Sequence, residues 1–444
     1  MRQLHRARAW LLASTVIVGC HARPPIQPQG DARAGNAADS SALARQSWAA
    51  AVRALQSQNL QAARDDVELA HRIWPVQPRY AWTRAILAGR ANDTGATHHA
   101  LADYLRLGLG GDLSAPAFNG VRDRPWFAAM KHTHDLARAP LARSTLATTF
   151  ADSTIWPEAV EYDARSGTYY LSSVRHGTIY ERTPDGAQRW LWRRNAPGVG
   201  SVLALRLDPR RGVLWATSSG APELDGYSPA DSARGAILMV RVADGEILRR
   251  WELPANTPHA LGDIALGPDG DVFVTDSNEP VLYWLPPALD TLRTVRHALF
   301  RSLQGIAPTP DARTIIVADY SHGLLRVEPR TGNVVRVADP PIGTSTGCDG
   351  IAWYDGAVIA VQNGVDPPRV ARFDLDRSYR RVTRVQTLDR NLALAAEPTG
   401  GVIVGDHFIY VGNSQWDEHD ENGALARDAR LTPARVLSLS LQKH

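Results

Sequence analysis

Beyond residue 150 the chain writes one short phrase six times: an apolar strand, a turn, and a second apolar strand. The copies open at PEAVEYD (Glu158), VLALRLD (Leu203), GDIALGPDG (Asp263), LQGIAPTPD (Gln304), CDGIAWYDG (Asp349) and PTGGVIVGD (Thr399). Each runs on into a partner: TYYLSS, GVLWATSS, DVFVTDS, TIIVADY, AVIAVQNG and HFIYVGNS. Spacings of roughly 40–60 residues are those of a β-propeller blade. The strands are bounded by Gly, Pro and Asp turns, such as Asp163–Gly167 and Asp208–Gly212. Six units predict a six-bladed β-propeller over residues 144–444. The last unit supplies three strands, ending in ARVLSLSL, so Ser144–Phe150 is expected to donate the fourth and remove the free edges. Extra loops are expected at Ser219–Ala233 and Trp416–Thr432.

In a propeller the innermost strand of each blade lines a central axis, so residues far apart in sequence meet in one small volume. Glu158, Asp263, Gln304 and Asp349 begin inner strands; Asp276, Asp319, Asn363 and Asn413 end the strands that return beside them. All eight are therefore expected at one mouth of the channel, and all offer oxygen. Carboxylates that converge there repel one another and lose hydration, so they must be protonated, paired with Arg, or neutralised by a cation. With no His/Cys cluster in the sequence, an oxygen-liganded ion such as calcium suits the set better than zinc. The competing reading is that these acids cap strands and accept exposed backbone amides. Trp156, Tyr320, Trp353 and Trp416 fall near predicted mouth positions and either shape an apolar pocket or pack in the core. DEHDENG (Asp417–Gly423) lacks the alternating acids and final Glu of an EF-hand and reads as an acidic loop.

These phrases resemble those of the six-bladed SMP-30/gluconolactonase group, with a further likeness to paraoxonases. Pro157-Glu158-Ala159-Val160 is similar to the group's Pro-Glu-Gly-Pro, and Asp349-Gly350 keeps its Asp-Gly. Gln304-Gly305 stands where the group has Asn-Gly. Leu261-Gly262-Asp263-Ile264-Ala265 matches the paraoxonase Leu-Asn-Asp-Ile-Val, with Gly262 in place of Asn. The resemblance implies a calcium (or other divalent cation) site built from Glu158, Asp263, Gln304, Asp349 and Asn363. It also implies hydrolysis of a lactone or related ester, with a carboxylate or His drawing a proton from water. Asp349 or Asp263 is the expected base, and His259 and His322 are further candidates; each His alternatively bonds within its loop.

The remainder of the chain differs in composition. Residues 1–20 pair a basic start with a short apolar run ending Ile17-Val18-Gly19-Cys20, which resembles a bacterial lipobox. Cys20 is the expected lipidation site, His21 after it points to the outer membrane, and the chain would face the periplasm through this anchor. Residues 21–41 are rich in Pro, Gly and Ala and read as a disordered tether. From 42 to 140 the apolar period becomes helical. An offset of 34 residues places Trp48 on Trp82, Ala51 on Ala85 and Ala62 on Ala96, which resembles the tetratricopeptide repeat. The fold class is thus α + β, a short helical repeat followed by the propeller. The other cysteine, Cys348, leaves no internal disulfide and reads as a small buried residue.

A net charge of +3 carries no nucleic-acid footprint. Two functions lead: a calcium-dependent hydrolase with a small lactone or ester substrate, and a non-catalytic scaffold that binds a ligand, or a protein partner through its helices; a redox or sugar-binding propeller is the remaining reading.

Overall fold

The computed structural model describes residues 40–194, 196–287, 291–311, 313–340, 342–420 and 423–442. Cys20, its leader and residues 21–39 lie outside the described residues; Ser40 and Ser41, expected in the tether, open the first helix.

Among the described residues, five α-helices come first: α1 (Ser40–Gln56), α2 (Leu60–Ile73), α3 (Pro78–Arg90), α4 (Thr94–Leu105) and α5 (Pro125–Arg138). Their starts are chemically marked. Asn59 caps α2 by accepting from Ala62 N at 3.1 Å, Asp93 caps α4 by accepting from Ala96 N at 3.0 Å, and Pro opens α3 and α5. Fully buried Ala51, Ala63, Ala85 and Ala100 let neighbouring helices approach closely; Ala62 and Ala96 are only partly buried. No helix among the described residues is long and apolar enough to cross a membrane.

The rest is a six-bladed β-propeller, six sheets of four antiparallel strands. Blade one runs outward as Val160–Asp163, Thr168–Ser173, Thr178–Arg182 and Gln188–Trp190. The inner strands of blades two to six are Leu205–Asp208, Leu261–Leu266, Leu303–Pro308, Ile351–Tyr354 and Gly401–Val404. Blade six is closed by Thr145–Phe150, which pairs with Ala434–Ser440 in the register Phe150↔Ala434. Second strands such as Val272–Asp276 and Ile315–Asp319 are buried throughout, because the neighbouring blades cover both faces of each sheet. Phe273 and Trp284 of blade three thus share a cluster with Ile306, Ile315 and Val327 of blade four. Trp353 belongs to this kind of packing, edge-on to Tyr379 at 5.3 Å, and not to a pocket.

Around the axis the blades meet backbone to backbone. A β-carbon on Gly305 would stand 2.5 Å from Asp349 O, and one on Gly350 would stand 2.6 Å from Gly400 Cα. That crowding explains why a glycine follows the polar residue in units four, five and six.

The helices dock on blades four and five. Trp74 Nε1 donates to Asp339 Oδ2 at 3.1 Å, Gln77 Nε2 to Ser321 O at 3.0 Å, and Arg138 pairs with Asp366 at 2.7 Å. Val365 enters the helical core beside Tyr104 and Leu109.

Candidate functional site

Glu158, Asp263 and Asp349 line a single cavity on the axis, together with Glu161, Arg206 and Gly262, Gly305, Gly350 and Gly400. Its volume is about 20 Å³, room for one water molecule or ion. Anything larger must engage it from the mouth. Glu158 and Asp349 each sit two residues ahead of an inner strand, where the chain crosses the channel end. Asp263 lies at a register shift between Leu261 and Asp263, and Gln304 lies within another between Leu303 and Ile306. Such bulges re-aim side chains that a regular ladder would point elsewhere.

Each acid is held by neutral donors. Asp263 accepts from Ile264 N and Ile306 N, both at 2.7 Å, the second from the next blade. Asp349 Oδ2 accepts from Asn363 Nδ2 at 2.6 Å, and Asn363 Oδ1 accepts from the Tyr320 hydroxyl at 3.1 Å. Glu158 Oε2 accepts from Trp416 Nε1 at 2.7 Å. Gln304 Oε1 approaches Gly262, 3.1 Å from where a β-carbon would be, so its longer amide reaches into space that an Asn at 262 would fill.

Positive charge is scarce. Arg206 pairs with Glu161 at 3.1 Å and reaches Asp263 only at 4.0 Å. Burial pushes the Asp263 carboxyl up to about 6 against the pull of Arg206. Burial, opposed by the Asn363 hydrogen bond and aided by the Asp263 charge, pushes Asp349 up to about 6. Glu158 is raised well above its ordinary value by burial and then by Asp349. The channel therefore disfavours the very charges it collects. Oxygen-only and under-compensated, Glu158, Asp263 and Asp349 have the chemistry to hold a hard divalent cation, but their oxygens are not gathered within 4.8 Å of one another; Gln304 and Asn363, expected beside them, do not line the cavity.

The other expected members sit elsewhere. Asp276, Asp319 and Asn413 accept backbone amides of their own blades, as in Ser302 N to Asp319 at 3.0 Å and Arg435 N to Asn413 at 2.7 Å. His259 is buried, with Nδ1 on Asp276 at 2.6 Å and Nε2 on the Pro254 carbonyl at 3.0 Å. His322 is buried beneath the helices, against Arg45 and stacked on Trp74 at 5.7 Å. Neither imidazole lines the cavity. His259 precedes its inner strand and is held by Asp276, whereas His322 follows its second strand, its ring 3.4 Å from Asp319. Cys348 is fully buried, donates to Ser345 O at 3.3 Å, and is pushed up to about 12 by burial.

Three features complete the surroundings: two acids that the repeat did not single out, and a wall whose tryptophans it did. Glu161 lies inside an inner strand and reads there as an ordinary strand residue. Glu397 stands close enough to raise the Glu158 carboxyl further and is itself pushed up to about 7 by burial and then Asp417. Its signal was available, an acid two residues ahead of the sixth unit. The third is an aromatic wall. Trp156 adopts φ 49°, stacks on His419 at 3.5 Å and meets Trp416 edge-on at 4.8 Å. A bulky residue held in the left-handed region needs surroundings that enforce it. Here those surroundings are the insert that carries Trp416 to Glu158.

Fold and cavity together define a six-bladed propeller with an acid-lined axis. No family model matches the chain, and no curated protein matches it. Among solved structures, a PQQ-bound aldose sugar dehydrogenase from Streptomyces coelicolor is 16% identical, over 68% of this chain and 99% of that one, with a TM-score of 0.45. A gluconolactonase from Xanthomonas campestris is 18% identical, over 69% and 92%, at 0.45. The calcium-binding protein regucalcin from Agrobacterium tumefaciens is 15% identical, over 66% and 93%, also at 0.45. At such values these neighbours decide nothing about the chemistry of this chain.

Proposed function

We propose that this chain is a hydrolase of lactones or related esters that depends on calcium or another divalent cation in the propeller channel. One observation carries the reading: Glu158, Asp263 and Asp349 share a cavity of about 20 Å³ without enough positive charge to neutralise them. A cation bound there would supply Lewis-acid polarisation of a substrate carbonyl. Asp349 is the base. Its Oδ2 is fixed by Asn363, which Tyr320 fixes in turn, and Oδ1 has no protein donor among the described residues. Held in this way, Asp349 keeps one oxygen placed to draw a proton from water. Asp263, with both oxygens on backbone amides, holds its position and serves as a ligand. The small cavity admits only the reacting end of a substrate, while Trp416 and Tyr320 shape the mouth.

We place the protein on the periplasmic face of the outer membrane, tethered by lipid on Cys20, with the tetratricopeptide-like helices free to dock a protein. A scaffold without catalysis is the second reading, favoured by how little room the channel offers. Equilibrium dialysis with calcium and a pH-indicator assay over γ- and δ-lactones separate the two. The hydrolase binds about one ion and loses turnover in Glu158→Gln and Asp349→Asn. A chain that binds no divalent ion and hydrolyses no ester in the panel overturns it.

A further inference from the structure

Asp276 and Asp319 hold equivalent places in blades three and four, each ending a second strand beside a histidine-bearing loop. Asp319 is saturated. Its Oδ2 accepts from Arg301 N at 2.7 Å and Ser302 N at 3.0 Å, and its Oδ1 from Ser321 N at 3.1 Å and His322 N at 3.0 Å. Asp276 is filled on one side only. Oδ1 takes the backbone N–H groups of Ala260, Asn278 and Glu279 at 3.1, 3.1 and 3.2 Å, and Oδ2 is left facing His259 Nδ1.

A carboxylate oxygen of Glu279 completes a trio whose ligand atoms all lie within 4.8 Å of one another. The His259 and Asp276 side chains are 0% exposed. Beside them stands a second, independent sign. The Tyr283 hydroxyl is buried without a hydrogen-bond partner, on a residue 1% exposed whose ring centre lies 6.5 Å from that of His259. Burial, and then the charges of Asp276 and Glu279, push this hydroxyl above the usual tyrosine range, so both carboxylates stand near it. A buried polar group left unpaired marks a missing neighbour.

We propose that His259, Asp276 and Glu279 form a second cation site, in blade three and apart from the channel, for a borderline divalent ion of the zinc class. One imidazole nitrogen and two carboxylate oxygens suit such an ion better than calcium, and three protein ligands leave a fourth position open. The ion takes the place of the proton shared by His259 and Asp276, which leaves as the metal enters. Arg296 is its competitor, holding Glu279 Oε1 at 2.6 Å from a side chain 56% exposed. The proposal stands whether or not the channel is catalytic.

The test is calorimetric titration of Zn²⁺ into the chain carrying Glu158→Gln and Asp349→Asn, so that the channel does not contribute. About one equivalent is expected to bind. Adding Glu279→Gln should weaken binding at least tenfold, and Arg296→Ala should tighten it several-fold. Both changes lie on the partly exposed rim, and thermal unfolding with and without Zn²⁺ confirms the fold in each variant. No zinc binding overturns the proposal. So does binding that Glu279→Gln leaves unchanged, which would place the ion elsewhere, for instance at the His98–His99 pair.

Discussion

Asp263 at the channel and Asp319 at the end of a second strand share a residue type and are both withdrawn from solvent, yet their acidities are shifted in opposite directions. Asp319 is the more enclosed, 0% exposed against 16% for Asp263. Burial alone would raise both. For Asp319, His322 and the amides of Ser302 and Arg301 outweigh burial and hold the carboxyl below its usual range. Asp263 has two amides and a distant Arg206, and Asp349 has one amide donor and Asp263 for a neighbour; both end near 6. The number of donors, more than depth, separates a carboxyl held in its charged form from one pushed toward its neutral form.

The largest expected effect tests the channel half of that contrast. Glu158→Gln with Asp349→Asn should lower lactone hydrolysis by about 100-fold or more, read as kcat, while leaving the circular dichroism of the propeller intact. Turnover that survives the pair would end the distinction. Next is its mirror: Asp319→Asn faces amide donors with an NH₂ group and should cost about 2–4 kcal/mol in urea unfolding. A loss below about 1 kcal/mol would make Asp319 no more structural than its channel counterparts.

The two classes should also bend the stability curve in opposite directions. Asp263 and Asp349 have folded values near 6, above the ordinary 3.8. The metal-free chain therefore binds their protons more tightly than the unfolded chain does. Their destabilisation is absent below about pH 4 and complete above about pH 6, of order 3 kcal/mol per group. Asp319, with a lowered value, contributes stability that is lost as pH falls. Thermal unfolding across pH with chelator should show the first effect, and saturating calcium should erase it. A smaller effect sharpens the role of the aromatic wall. Trp416→Phe keeps the ring but deletes the N–H to Glu158, worth about 1 kcal/mol. Because that bond lowers the Glu158 carboxyl, the acid limb of the pH–rate profile should move upward by less than about one unit.

The blades were legible because a repeat states itself six times, and the channel acids because an acid at one phase of a repeat must reach the axis. The phase of the second-strand acids carried no such guarantee. Asp276, Asp319 and Asn413 end their strands as the sequence suggests, but the path of the neighbouring chain decides which amides they receive. His259 and His322 lie beside two of those same acids, an outcome that depends on loop geometry. Contacts between distant segments were likewise invisible, including Trp416 on Glu158 and Trp74 over His322. No local pattern links residues 258 positions apart.

The pairing of Thr145–Phe150 with Ala434–Ser440 has a consequence for how the molecule comes into being. The strand made first in the ring waits for the strand made last. Glu158 leaves the ribosome long before its backbone carbonyl can meet Gly400 N or its side chain can meet Trp416. A nascent chain truncated before residue 434 would hold five blades and every acid of the cavity, but no closed wall to crowd them together. The cavity itself should thus form only after release, as one late event.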